Sequence, residues 1–418
     1  MIAIFNFNTY LGGGETLMVR WASYLKDNNI DCRLFFKKGS YIEKDLNNRG
    51  IEKEQMCPIE SDIDYYYINN IKRKQLLEEI HGYLKDLDSV QLVSFCSREL
   101  YTLIDYCKIN KTATLSHMIL HNQDNLYLCQ SLWDKIMVKL GINRKFSRKS
   151  MILFNARLFN LVSEESVVIS QSELQAALLK GRFGINIKPG HVVALPVCDF
   201  SKVEKIEAVN NHKILWIGRI CDTKIPSLCA MMKVVNQLEG YTLTIVGDGD
   251  MDVVDNYIKD NNIDRSKLNF VGEVQYGQLE DIIKGHSVGY AIGTSIMEIG
   301  KYGLPVIMAL YAPDCQQFDT DVCGGLYSNV SLGNIGDNFF YLEFGDKEEH
   351  IIDVLHYVDN NYQKSAEDCY NYIKDTCDLN VNLSKYMKLI SQSKVVDTSE
   401  ISVPEASVLR KMIYKFFA

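Results

Sequence analysis

The sequence is poor in proline, with seven residues in 418 and only Pro58 before residue 189. So few breakers leave long stretches open to regular structure. None of its twelve cysteines form a Cys-x-x-Cys pair, so no zinc ribbon or thioredoxin-type motif is written into it. A chain of this length needs no disulfide staples, and reduced thiols in a reducing, cytoplasmic setting are expected. No run approaches the 18 apolar residues of a membrane span. The start, Met-Ile-Ala-Ile-Phe-Asn-Phe, lacks a basic n-region, so no signal peptide is expected. Positive charge is not in excess either. With 45 basic and 53 acidic residues the net charge is −8, which excludes a general nucleic-acid binder held by phosphate contacts.

What is present is an ordinary globular composition, 47% hydrophobic and 23% charged, long enough for two or three domains. Pro189 and Pro196 stand just ahead of a polar stretch, Ser201 to Asn211, that reads as a linker. Both halves then open alike. The first has a strand pattern, Ile2 to Phe7, then Gly12-Gly13-Gly14, then a helix pattern with Leu17, Met18, Trp21, Ala22 and Leu25 on one face. The second has a strand pattern, His212 to Ile217, then Gly218, then a helix pattern from Pro226 to Leu238. Apolar runs at Tyr241–Val246, Leu268–Val271, Val288–Ile292 and Leu304–Leu310 follow, several separated by helical patterns. Strands alternating with helices predict an α/β fold with parallel sheets covered on both faces. We expect domains at 1–197 and 198–390, with a tail at 391–418 returning to the first domain or to a membrane. Glycine-rich strand-to-helix turns favour anions, so a phosphorylated ligand in a cleft between the domains is expected.

Several motifs fail on context. Gly285-His286-Ser287-Val288-Gly289 spells a nucleophile elbow, but a helix pattern precedes it and a strand pattern follows, the reverse of what an elbow needs. His117 and His121 are spaced like zinc-protease ligands, yet Met118 holds the place of the general base and the local pattern is a strand. Asp248, Asp250 and Asp252 alternate like a calcium loop, but Val253 and Lys259 stand where glycine and glutamate are needed. Neither glycine cluster completes Gly-x-Gly-x-x-Gly.

The second half carries an ordered set of blocks. Ile214-Leu-Trp-Ile-Gly-Arg-Ile with Lys224 comes first, then Leu243-Thr-Ile-Val-Gly-Asp-Gly and Leu268-Asn-Phe-Val-Gly-Glu-Val. Gly293-Thr-Ser-Ile-Met-Glu-Ile-Gly-Lys-Tyr-Gly-Leu-Pro-Val-Ile closes the set. In order and spacing these resemble the nucleotide-binding domain of the family 4 glycosyltransferases of bacterial surface-polysaccharide type. The Gly12-Gly13-Gly14-Glu15 opening, Val167-Val-Ile-Ser-Gln and Ala194-Leu-Pro-Val-Cys-Asp are similar to other parts of that family. The resemblance covers most of residues 1–310. It implies the GT-B fold, two Rossmann-like domains with parallel sheets facing an inter-domain cleft. It also implies sugar transfer from a UDP- or GDP-sugar to a glycan or lipid-linked acceptor, with retention, no metal and no cofactor beyond the donor. Arg219 and Lys224 match the family's diphosphate-binding pair. Glu298 matches the second acid of its Glu–seven residues–Glu signature, which binds the donor ribose. His121 matches the histidine near the sugar, with Asn122 beside it in place of the usual aspartate. Gly13, Gly14, Gly218, Gly272, Tyr290, Gly293, Thr294 and Ser295 fall at donor-binding positions. The first acid of the signature is replaced by Tyr290.

Residues 131–160 hold seven bases, Lys135, Lys139, Arg144, Lys145, Arg148, Lys149 and Arg157, against Asp134 alone. Leu132, Trp133, Ile136, Met137, Leu140, Phe146, Met151 and Phe154 are interleaved with them. A basic amphipathic segment of this kind suits an anionic membrane surface, and the tail from Val408 repeats the theme weakly. The expected protein is a cytoplasmic, membrane-peripheral glycosyltransferase of glycan assembly. The alternatives are a nucleotide-sugar-binding subunit of a glycan-assembly complex without turnover, degenerate at Tyr290, and a GT-B-type sugar-nucleotide epimerase.

Overall fold

The computed structural model describes residues 1–9, 13–119, 157–207, 209–312, 321–337, 346–403 and 405. They divide into two compact units. The first comprises described residues of Met1–Gln171, Gln175–Val193 and Leu383–Ala418, and the second Ser172–Leu174 and Ala194–Asn382. Apart from Ser172–Leu174, the second unit runs from Ala194 to Asn382, where the sequence had suggested boundaries at 197/198 and 390/391.

The first unit alternates β1 (Ile2–Asn6), α1 (Gly13–Asp27), β2 (Cys32–Lys37), α2 (Tyr41–Asn48), β3 (Met56–Ile59), α3 (Asn70–Leu84), β4 (Gln91–Ser94), α4 (Ser97–Ile109), β5 (Thr114–Ile119) and β6 (Val167–Ser170). The strands form one sheet in the order β3-β2-β1-β4-β5-β6, with every pairing parallel. All five residues of β1 are buried, as expected for a central parallel strand covered on both faces. The apolar stripe of α1 packs on the sheet, and Trp21 stacks on Phe95 with ring centroids 6.0 Å apart. The tail closes this core rather than standing apart from it. Val396 and Val403 join the buried cluster, Lys108 Nζ donates to the Ile401 carbonyl at 2.6 Å, and buried Arg73 donates to the carbonyls of Tyr65 and Val403.

After α5 (Glu173–Phe183), the second unit runs β7 (Lys213–Ile217), α6 (Ile225–Gln237), β8 (Thr242–Val246), α7 (Met251–Asp260), β9 (Leu268–Gly272), α8 (Leu279–Lys284), β10 (Val288–Ala291), α9 (Thr294–Gly300) and β11 (Val306–Met308). Helices α10 (Ile351–Asn360), α11 (Tyr362–Cys377) and α12 (Leu379–Ile390) follow. The sheet order β11-β10-β7-β8-β9 is again all parallel. In both units the first strand lies inside the sheet, the next two extend to one side and the fourth returns to the other. That is the doubly wound plan with a switch point beside the first strand, at β1/β4 and at β7/β10. No helix among the described residues is long and apolar enough to cross a membrane.

The exits of β7 and β8 are zipped together beyond the sheet. Gly218 N donates to the Val246 carbonyl, Ile220 N to that of Asp248, and Asp250 N to that of Ile220. So close an approach needs glycine at position 247, where φ is +142° and a Cβ would lie 2.0 Å from the Gly218 carbonyl oxygen. Gly247→Ala is therefore expected to cost about 3 kcal/mol or more, read as a lower urea midpoint for the second unit. Gly277→Ala, with nothing within 4 Å of its Cβ position, should stay within about 0.5 kcal/mol.

Candidate functional site

In an open α/β sheet a ligand is held beyond the carboxyl ends of the strands at the switch point. In the second unit that place lies between the loop after β7, residues 218–224, and the turn after β10, residues 292–295. The sequence placed Gly218, Arg219, Lys224, Gly293, Thr294 and Ser295 in these two segments, and the fold makes them neighbours across the switch point.

Lys224 is the N-cap residue of α6, with Pro226 in the first turn. Its side chain folds back along the loop, so that Nζ lies 3.4 Å from where a Gly218 Cβ would stand and 5.7 Å from the Tyr311 ring centroid. Among the described residues neither Lys224 nor exposed Arg219 makes an ion pair. Burial lowers the Lys224 pKa to about 8, and the Arg219 charge adds to that effect. A cation at the positive end of a helix dipole, beside a second cation and largely desolvated, is an unfavourable arrangement that an anion would relieve.

The turn after β10 is short. Gly293 has φ +74° and is buried, and its N–H donates to the Ile335 carbonyl. Thr294 and Ser295 begin α9 and are half-buried. Tyr311 ties the two segments together. Its hydroxyl lies 3.1 Å from the Gly293 Cβ position, its N–H donates to the Gly336 carbonyl, and the following Ala312 N–H donates to the Thr223 carbonyl. Burial raises its pKa, and the charge of Asp337 raises it further. Tyr311 and the 331–337 loop were missed in the sequence. The available signal was an aromatic residue ending the apolar run Leu304–Leu310, next to a strand that neighbours β10.

Glu298 lies one turn into α9, 8% exposed, and Lys301 Nζ donates to its Oε2 at 2.6 Å. Two of the expected positions lie elsewhere. Gly272 ends β9 at the sheet edge, two strands from β7, where its carbonyl accepts from Gly247 N–H. Tyr290 is a correction to the expected set. Its side chain is fully buried, its hydroxyl donates to the Ser227 carbonyl at 3.2 Å, and its ring lies 5.7 Å from that of Trp216. It sits in the core because β10 is buried on both faces, so position 290 presents no group to a ligand in this structure.

In the first unit Gly13 and Gly14 open α1, the helix that follows β1 in the chain, and Asn6 Nδ2 donates to the Gly14 carbonyl at 3.0 Å. Across that switch point Glu99 accepts from Phe7 N–H and Cys96 N–H, tying the exit of β1 to the start of α4. His121, Asn122 and Gly12 lie outside the described residues, as does the basic segment up to residue 156. His117 is a core residue. It is fully buried on β5 with Nδ1 2.8 Å from Ser94 Oγ, and burial pushes its pKa down to about 3. Ser287 precedes a strand and donates to the Lys213 carbonyl, with α8 before it, so the nucleophile-elbow geometry is absent there. The Asp248 carboxylate accepts from Gly249 N–H within an exposed turn.

No protein-family model and no curated protein matches the sequence. Solved structures do match the fold. HepE of Anabaena, in complex with UDP and glucose, superposes with a TM-score of 0.61 at 13% identity, over 93% of this chain and 99% of its own. A glycosyltransferase from Rickettsia africae gives 0.62 at 13% identity, over 96% and 98%. A putative UDP-N-acetylglucosamine 2-epimerase from Listeria monocytogenes gives 0.52 at 10% identity, over 97% and 98%. The fold is GT-B.

The placement of Tyr290 has a direct consequence. Restoring an acid there by Tyr290→Glu would bury an unpaired carboxylate. We expect a loss of about 3 kcal/mol or more in urea unfolding, with no gain of ligand affinity. Near-native stability of that variant would show that position 290 reaches solvent or a ligand.

Proposed function

We propose that this protein is a glycosyltransferase that takes a sugar from a nucleotide diphosphate sugar, UDP- or GDP-linked, and passes it to a glycan or lipid-linked acceptor in surface-polysaccharide assembly. The observation that carries the reading is the desolvated Lys224, with Arg219 beside it, at the start of α6 and the switch point of the second sheet. Breaking the glycosidic bond puts negative charge on the departing diphosphate. Fixed cations and a helix N-terminus, held in place before a ligand arrives, stabilise that charge as it grows. Gly293 lets the backbone approach the phosphates, and Thr294 and Ser295 offer donors there. Glu298, one turn further along α9, accepts from the ribose hydroxyls. The fold shared with HepE, solved with UDP and glucose, supports this assignment.

His121 in this reading assists the sugar or the leaving phosphate, and Gly13 and Gly14 donate from the first unit. Retention of configuration, and chemistry without a metal or cofactor, belong to the same proposal and rest on the family resemblance. A peripheral position on an anionic membrane is proposed as well, and rests on the basic residues interleaved with apolar ones in 131–160. A second reading has its own support: buried Tyr290 leaves the second unit without the acid that would hold the sugar. A nucleotide-sugar-binding subunit without turnover fits that observation. An epimerase would turn over the donor without any acceptor.

Thermal unfolding against a panel of nucleotide diphosphate sugars tests the reading. One nucleotide class is expected to stabilise the protein, by about 2.7 kcal/mol at 100 times its Kd. Lys224→Ala and Arg219→Ala should abolish most of that shift while leaving the fold intact. No shift with any donor, or an equal shift in both variants, would overturn the site. Donor turnover with and without acceptor then separates transferase, epimerase and binding subunit.

The lowered Lys224 pKa adds a pH signature. In the free protein Lys224 loses its proton near pH 8, whereas a bound diphosphate holds the proton on. Binding therefore takes up a proton above pH 8, and affinity should fall there by up to about tenfold per pH unit. Lys224→Arg should flatten the profile, because guanidinium stays charged. A wild-type profile that is flat from pH 7 to 9.5 would remove Lys224 from the anion site.

A further inference from the structure

We propose that Lys301 is a positioning residue for Glu298 and thereby sets how strongly this chain discriminates the ribose of its nucleotide. The proposal rests on reading the second unit as a nucleotide-diphosphate site. Lys301 itself is not among the proposed donor contacts.

Glu298 and Lys301 stand three residues apart, on one face of α9. Their charged ends meet at 2.6 Å with side chains only 10% and 7% exposed, so both charges have left water together. Lys301 caps the C-terminal end of the helix, its own N–H donating to the Met297 carbonyl, and its ammonium lies 5.1 Å from the Tyr302 ring centroid. Every other ion pair among the described residues has at least one side chain more exposed than either of these. A buried pair is a poor way to gain stability, since two apolar side chains of similar size often serve as well. It is a good way to hold one carboxylate orientation. An unclamped glutamate would have to freeze its side-chain torsions on binding, and the lysine has already done so. Lys301 is used differently from Lys224 and Arg219: it has an internal partner and is covered, so its effect on a ligand passes through Glu298.

The test measures affinity for UDP and GDP, each against its 2′-deoxy and 3′-deoxy forms, by calorimetry. The proteins are wild type, Glu298→Gln, Lys301→Met, Lys301→Arg and the double Glu298→Gln/Lys301→Met. Wild type should favour the ribose form about tenfold, the effect of a hydrogen bond to a charged acceptor. Lys301→Met should lose most of that preference while its affinity for the deoxy forms changes less than about twofold. Lys301→Arg should keep it. The double variant should match Glu298→Gln, because a residue acting through Glu298 has nothing left to position. If Lys301→Met strands the buried carboxylate and fails to fold, the arginine variant and the comparison of the double with Glu298→Gln carry the same decision. Equal weakening of ribose and deoxy forms would leave Lys301 a structural residue and overturn the proposal. A further loss in the double beyond Glu298→Gln would mean that Lys301 acts independently of Glu298, and would overturn it too. Wild-type binding without ribose preference would overturn it while leaving the diphosphate site standing. Binding of neither UDP nor GDP would instead bring down the donor-site reading, and the positioning role with it.

Discussion

The close backbone approach between the exits of β7 and β8 is the constraint on which the rest of the second unit depends. Three N–H to carbonyl bonds continue the pairing past the last strand residues, and so close an approach requires that positions 247 and 249 carry no side chain. The loop from Gly218 to Lys224 is thereby fixed at its start by Gly218 and Ile220. It is fixed at its end by α6 and by the bond from Ala312 N–H to the Thr223 carbonyl. A loop held at both ends can keep a lysine in a poorly solvated position without collapsing around it. That is how the fold sustains an ammonium group whose pKa has fallen to about 8.

Charge is handled in two opposite ways within this unit. Lys224 and Arg219 have no ion partner among the described residues, and they gather where a helix start already adds positive potential. Glu298 and Lys301 neutralise each other under cover. The first arrangement is electrostatically unfavourable until an anion arrives, whereas the second is complete by itself. The difference matters for chemistry. Unpaired charge can respond to what develops on a ligand, and paired charge can only hold a geometry.

Tyr290 shows how far a motif can be carried by sequence spacing. Eight positions before Glu298 it occupies the place of an acid in the signature, and the count is correct. The structure puts that position on β10, between two covered faces, with the hydroxyl spent on the Ser227 carbonyl. Only Ile292 and Gly293 separate β10 from α9, so the intervening turn is too short to carry a side chain out over the sheet from position 290. Tyr311 enters from the opposite direction. It is far from Lys224 and Gly293 in sequence, yet it touches the surroundings of both because β11 lies next to β10.

The sequence by itself determined the alternation of strands and helices, the glycine turns that follow the first strand of each half, and the stripe of α1 that faces the sheet. These are local matters. They follow from periodicity over a dozen residues and from backbone conformations that few residue types allow. Arg219, Lys224 and the Gly293–Ser295 turn were legible for the same reason, since each sits within a few residues of a strand end. Tertiary structure alone decided which strands are neighbours, and hence that Tyr311 and the 331–337 loop border the candidate site. It also decided the inward face of Tyr290 and the return of residues 391–403 into the first unit's core. A strand buried on both sides shows no alternation from which a facing can be read. Contacts between segments tens to hundreds of residues apart leave no periodic trace in a single sequence. For Glu298, the sequence supplied a lysine three residues on, but only the burial of both side chains turns that spacing into a fixed carboxylate.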